Sequence, residues 1–184
     1  MSRVAVIPAR GGSRRIPRKA IREFHGKPMI SYPIRAALAS KMFGRIIVST
    51  EDSEIASYAE LFGAEVLLRP ADLAEDEVGT QEVMRHVLQR VECPRHACCI
   101  YPCSPMLNGK DLWRCFHLMT RSGADFAYCP GVVYWGRVGA FLEDRPLGHW
   151  VYVMDKGRAI DINVESDWIA AERRYAELNN RVAA

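Results

Sequence analysis

The run Val4-Ala5-Val6-Ile7-Pro8 leads directly into Ala9-Arg10-Gly11-Gly12-Ser13-Arg14-Arg15-Ile16-Pro17-Arg18-Lys19, and no other part of the chain constrains the fold as much. A continuous apolar run that ends at a glycine-rich break is the pattern of a strand buried on both faces, as in the middle of a parallel sheet. The break carries two adjacent glycines and five basic side chains between Arg10 and Lys19, with no acid among them. Glycines let backbone N–H groups turn toward a ligand, and the arginine fork matches the oxygens of a phosphate. The residues alone leave two readings open. One is a loop that cradles an anion, above all a polyphosphate; the other is an ordinary strand–helix connection whose charges are solvated or meet a nucleic acid.

Downstream, apolar strand-like runs alternate with amphipathic helical ones. Helices are expected over residues 29–40, with Pro33 bending the first turns or delaying the start, and from Asp52 or Ser53 to Gly63. A helix capped by Thr80 is expected as far as Val91, another over 112–119, and a last one over 166–178 capped by Ser166. Strands are expected at 45–49, 65–68, 97–101, 125–128, 132–135 and 151–154. Residues 69–79 lack periodicity and carry Asp72, Glu75, Asp76 and Glu77, which predicts a surface loop. This alternation predicts an α/β fold, a mainly parallel sheet with helices on both faces, with ligands bound beyond the carboxyl ends of the strands.

Composition narrows the class further. At 184 residues, 49% hydrophobic and 26% charged, the chain is expected to form one globular domain over 1–184. A net charge of +3 gives no global field for nucleic acid, so the basicity of the first loop is a local device. Met1-Ser2-Arg3 runs straight into the first strand, and no apolar segment could span a bilayer, so a cytoplasmic protein without a membrane partner is expected. The six cysteines (Cys93, Cys98, Cys99, Cys103, Cys115, Cys129) show no CxxC spacing and read as reduced, mostly buried thiols.

Four separated stretches resemble one family, the cytidylyltransferases that activate nonulosonic acids of the sialic-acid type. They are Ile7 to Lys19; Val48-Ser49-Thr50-Glu51-Asp52-Ser53-Glu54-Ile55-Ala56 with Gly63 to Val66 and Leu68 to Ala74; Tyr101-Pro102-Cys103-Ser104-Pro105; and Asp161-Ile162-Asn163-Val164-Glu165-Ser166-Asp167-Trp168. Tyr134-Trp135-Gly136, followed by Ala140-Phe141-Leu142, looks most like the pseudaminic-acid branch. The resemblance implies a Rossmann-like nucleotidyltransferase fold and transfer of CMP from CTP to an acidic sugar with Mg²⁺ assisting. It implies phosphate and nucleotide contacts from Ala9, Arg10, Gly11, Gly12, Ser13, Arg14 and Lys19, base and ribose contacts from Arg69 and Thr80, and a nucleotide-side place for Ser104. Arg10, Lys19 and Asp161 would be the catalytic residues, and Asp161 with Asn163 the metal ligands. The resemblance leaves a homodimer open.

Departures from the family pattern are part of the reading. Ala20 stands where the family usually has Asn, and Asn163 replaces the second aspartate of the metal pair. Between Cys129 and Gly131 the family normally inserts a few tens of residues, which supply sugar-carboxylate ligands and much of the dimer contact; here the flanks nearly meet. Two functions therefore stand side by side: a CMP–sugar synthetase, or a catalytically degenerate relative acting as a nucleotide-binding or protein-interaction module.

Overall fold

The computed structural model describes residues 3–92, 94–148, 150–155 and 157–180. The opening apolar run becomes β1 (Arg3–Pro8), with Val4, Ala5, Val6 and Ile7 all buried. On one side it pairs in parallel with β4 (Arg45–Thr50), Ala5 opposite Ile46, and on the other with β6 (His96–Ile100), Ala5 opposite Cys98. β5 (Glu65–Leu68) adds in parallel outside β4. Beyond β6 the direction reverses. β8 (Val133–Arg137) runs antiparallel to β6, and β7 (Phe126–Cys129) antiparallel to β8, giving the order β5-β4-β1-β6-β8-β7. Two short strands, β2 (Glu23–Phe24) and β3 (Lys27–Pro28), form a separate hairpin just after the basic loop.

Helices cover both faces. Alternate β1 residues point to opposite sides, as strand geometry requires. Ala5 and Ile7 pack with Ile34 of α1 (Ser31–Ser40), Ile55 of α2 (Ser53–Leu61) and Leu112 of α4 (Gly109–Ser122). Val4 and Val6 pack with Met84 and Val87 of α3 (Thr80–Leu88) and with Phe141 of α5 (Val138–Leu142). A third cluster joins Trp168 and Ala171 of α6 (Glu165–Asn180) to Ile16, Phe24 and Met29, and so fastens the last helix to the end of the basic loop.

Several local expectations change. α1 starts at Ser31, so Pro33 is its third residue, where the missing N–H is among those with no intrahelical acceptor, and the proline delays the helix instead of bending it. The α3 N-cap is Gly79, without a side-chain bond, and Thr80 is the first helical residue. α6 begins at Glu165; in place of a Ser166 cap, the Asp167 carboxylate accepts the Asn163 and Val164 N–H groups, both at 2.9 Å. Residues Ala71–Ala74 form a 3₁₀ turn inside the acidic loop. The strand expected at 151–154 reduces to one bridge, Val151 to Tyr128, at the edge of the sheet. Cys98, Cys99, Cys103, Cys115 and Cys129 are free and buried; Cys93 lies outside the described residues. Among the described residues, no helix is long and apolar enough to cross a membrane.

Candidate functional site

Loops leaving the carboxyl ends of β1, β5 and β6 meet at one cavity of about 620 Å³. This is where a mostly parallel sheet leaves room for a ligand. Residues spread along the sequence converge there: Arg10, Ser13, Arg14 and Lys19 after β1, Arg69 and Thr80 around the acidic loop, Tyr101 after β6, and Asp161 with Asn163 ahead of α6. Two bonds tie the first of these segments to the last. Lys19 Nζ donates to the Ile162 carbonyl at 2.7 Å, and Arg15 Nη2 donates to Asn163 Oδ1 at 3.3 Å. Arg22 adds a two-pronged pair with Glu165, 2.6 Å on each prong, and lies 4.4 Å over the Trp168 ring.

Acids from neighbouring elements hold the basic loop. Glu51 Oε1 accepts the Gly11 N–H at 2.7 Å, and Glu51 Oε2 pairs with Arg69 Nη2 at 3.1 Å. Arg18 pairs with Asp52, the N-cap of α2, and with Glu54 at 2.5 Å. Its hydrogen bond holds the Asp52 carboxyl below the usual carboxylate range. Asp76, from the acidic loop, bridges Arg10 Nη2 at 2.5 Å and Arg14 Nε at 3.0 Å. A carboxylate between two arginines offers them the same forked anion that a phosphate would. Burial lowers the Arg69 pKa from its ordinary value, with Glu51 opposing.

The nominated residues divide by position. Ala9 and Gly11 lie behind the cavity wall, with Ala9 donating its N–H to the Ser49 carbonyl at 2.9 Å. Gly12 is exposed at the loop tip. Ser104 stands apart: it is buried and donates its hydroxyl to the Val132 carbonyl at 3.3 Å, so it braces the turn between β7 and β8 and does not line the cavity. Thr80 does line it, as does Tyr101, whose pKa burial raises. Cys103 is also in the wall, but burial pushes its thiol up to about 12, so it is no thiolate nucleophile near neutral pH. Asp76 and Glu51 were not singled out in the sequence. Their signal was weak, since each sits in an acid-bearing stretch whose target lies far along the chain.

The turn between β7 and β8 is tight. The Val132 N–H donates to the Cys129 carbonyl at 3.1 Å, and Gly131 sits at φ 67°. A Cβ on Gly131 would lie 2.6 Å from Cβ of Asp161, so only glycine fits both the turn and the approach to Asp161. Asp161 is exposed, and no donor among the described residues hydrogen bonds to its carboxylate. Among the described residues, no cluster of three or more His, Cys, Asp or Glu could hold a metal by itself. One free carboxylate and one amide oxygen facing a basic loop fit a Mg²⁺-type ion that takes its other ligands from substrate phosphates and water.

The sheet and the converging loops are those of an α/β nucleotidyltransferase fold. The cytidylyltransferase family model matches residues 4–147, and the chain belongs to that family. It is 35% identical over 133 residues to the pseudaminic acid cytidylyltransferase of Campylobacter jejuni subsp. jejuni, covering 70% of this chain and 57% of that protein. The chain thus spans little more than half the length of this relative. Among solved structures, CMP:2-keto-3-deoxy-manno-octonic acid synthetase complexed with CTP superposes with a TM-score of 0.79 at 16% identity, covering 97% of this chain and 100% of that one. A Mycobacterium tuberculosis protein solved in complex with manganese gives a TM-score of 0.67 at 16% identity, covering 94% and 99%. At these identities the likeness to the solved structures is one of fold.

Proposed function

We propose that this protein transfers CMP from CTP to a nonulosonic acid of the sialic or pseudaminic type and releases pyrophosphate. The observation that carries the reading is the meeting of the basic loop and Asp161/Asn163 across one cavity in a cytidylyltransferase chain. A sugar hydroxyl oxygen bonds to the α-phosphorus and gives up its proton to solvent water, while the α–β phosphoanhydride bond breaks and its electron pair leaves with pyrophosphate. Negative charge gathers on the α-phosphate and the leaving group, so catalysis is positioning and electrostatic stabilisation. Arg10, Arg14 and Lys19 bind the phosphates; Arg69, Thr80 and Tyr101 enclose the nucleoside side. Asp161 and Asn163 would hold a divalent cation such as Mg²⁺, which neutralises phosphate charge when bound. The experiment is pyrophosphate release with CTP, Mg²⁺ and a panel of nonulosonic acids, alongside calorimetry with CTP alone.

The hairpin turn at Cys129 to Val132 favours a second reading, in which the chain binds nucleotide without turning it over. That turn leaves no segment to receive the sugar carboxylate beside Asp161, and an unpositioned acceptor does not react. CTP binding without pyrophosphate release for any sugar selects this reading.

Two expected results follow from the site's charges. Asn163→Asp should lower the Mg²⁺ concentration needed for half-maximal pyrophosphate release, because a carboxylate attracts a divalent cation far more strongly than an amide. An active variant with unchanged Mg²⁺ dependence would remove this position from the metal. Asp76→Asn should tighten binding of inorganic pyrophosphate by about 0.2–1 kcal/mol, the range of an exposed ion pair, because it frees Arg10 and Arg14 from a competing anion. Calorimetry checks this, and weaker or equal binding refutes it.

A further inference from the structure

We propose that Glu51, at the carboxyl end of β4, is a positioning residue that shapes the phosphate loop from beneath without touching nucleotide. The inference rests on the nucleotide reading above and deepens it. Glu51 does not line the cavity, and its two oxygens serve different elements. Oε1 accepts the Gly11 N–H at 2.7 Å; Oε2 accepts Arg69 Nη2 at 3.1 Å and Nε at 3.3 Å. Arg69 Nη2 in turn donates to the Ala9 carbonyl at 3.4 Å. The carboxylate therefore holds the backbone on both sides of Arg10, directly at Gly11 and through Arg69 at Ala9. Only two soft dihedrals per residue connect these peptide groups, so pinning both sets the direction in which the Arg10 side chain leaves the backbone.

The surroundings suit this role. The Arg69 side chain is 3% exposed and that of Glu51 21%, so their charged hydrogen bonds are little screened by water. By contrast, the Arg14 side chain on Asp76 is 85% exposed, a contact an incoming anion can replace. Gly11 approaches the turn after β4 so closely that a Cβ on it would lie 2.2 Å from Asp52 Oδ2. Because its N–H is committed to Glu51, phosphate recognition at this end of the loop falls to the side chains of Arg10, Arg14 and Lys19.

The test compares wild type, Glu51→Ala and Glu51→Gln by amide hydrogen exchange without ligand and by calorimetry with inorganic pyrophosphate. In Glu51→Ala, the Gly11 amide should exchange about tenfold faster or more, while the amides of Val6 and Val48 keep their protection. Pyrophosphate affinity should fall about tenfold, the scale of one lost charged hydrogen bond, with Glu51→Gln between the two because its amide oxygen still accepts from Gly11. Should Glu51→Ala not fold, Glu51→Gln carries the test through the weakened Arg69 contact: its pyrophosphate affinity should still fall severalfold, and wild-type affinity in that variant overturns the proposal. Unchanged Gly11 exchange overturns the proposal, and so does a loss of protection at Val6 and Val48 as large as at Gly11, which would mark Glu51 as a general stabiliser. If wild type binds neither pyrophosphate nor CTP, the nucleotide reading falls, while Gly11 exchange still decides whether Glu51 holds the loop.

Discussion

Arg158→Met should destabilise the protein by about 3–5 kcal/mol, the cost of leaving a buried carboxylate without its cation. The carboxylate is Asp111, 1% exposed, in the first turn of α4. Its Oδ2 accepts the Asn108 N–H at 3.1 Å, completing a capping box with the Asn108 side chain, and Oδ1 accepts the Tyr152 hydroxyl at 3.0 Å. Arg158 pairs with both carboxylate oxygens and also donates to the Met106 carbonyl at 2.8 Å. Methionine matches the aliphatic stem, so packing changes little and the unpaired charge dominates. Arg158→Lys, which keeps the charge but loses the fork, should fall between. Urea unfolding midpoints of the three proteins decide it, and coincident midpoints for Arg158→Met and wild type would refute the argument. Adding Asp111→Asn to Arg158→Met should restore part of the loss, because the stranded charge is then gone.

Arg10→Ala should weaken CTP binding by about 1.5–3 kcal/mol, the range for hydrogen bonds to charged groups. The side chains of Arg10 and Arg14 are 35% and 85% exposed, so the better-buried Arg10 should cost more than Arg14 when removed. On the proposed reading CTP displaces Asp76 from both arginines, so the measured loss should fall short of the full Arg10 contribution. Calorimetric titration of wild type, Arg10→Ala and Arg14→Ala with CTP orders the three. Equal affinity for wild type and Arg10→Ala would take the loop out of phosphate binding.

How much of this was legible in advance depends on how local each signal is. The strand-to-glycine junction at Val4 to Lys19 needs no partner to be read, because burial pattern and loop chemistry lie side by side. β5 falls on the expected residues, and Asp52 caps α2, because strand runs and N-caps are set by neighbours in sequence. Thr80 misled because it can cap, yet Gly79 holds the extended conformation that precedes the helix. Ser104 misled because a motif position does not say which way a hydroxyl turns; the β7–β8 hairpin claimed it.

The chain's own order of residues determined the α/β alternation, the central strand and the basic loop, while only the family resemblance grouped that loop with Asp161 and Asn163. Only the tertiary structure decided which acids face which bases. Glu51 and Gly11 are 40 positions apart, and Asp76 reaches back to Arg10 across the sheet end. The physical reason is range. Periodicity, capping and turn chemistry act within a few residues and leave a trace in the sequence, whereas ion pairing and hydrogen-bond commitment are settled by distances that exist only after the sheet has brought its carboxyl ends together.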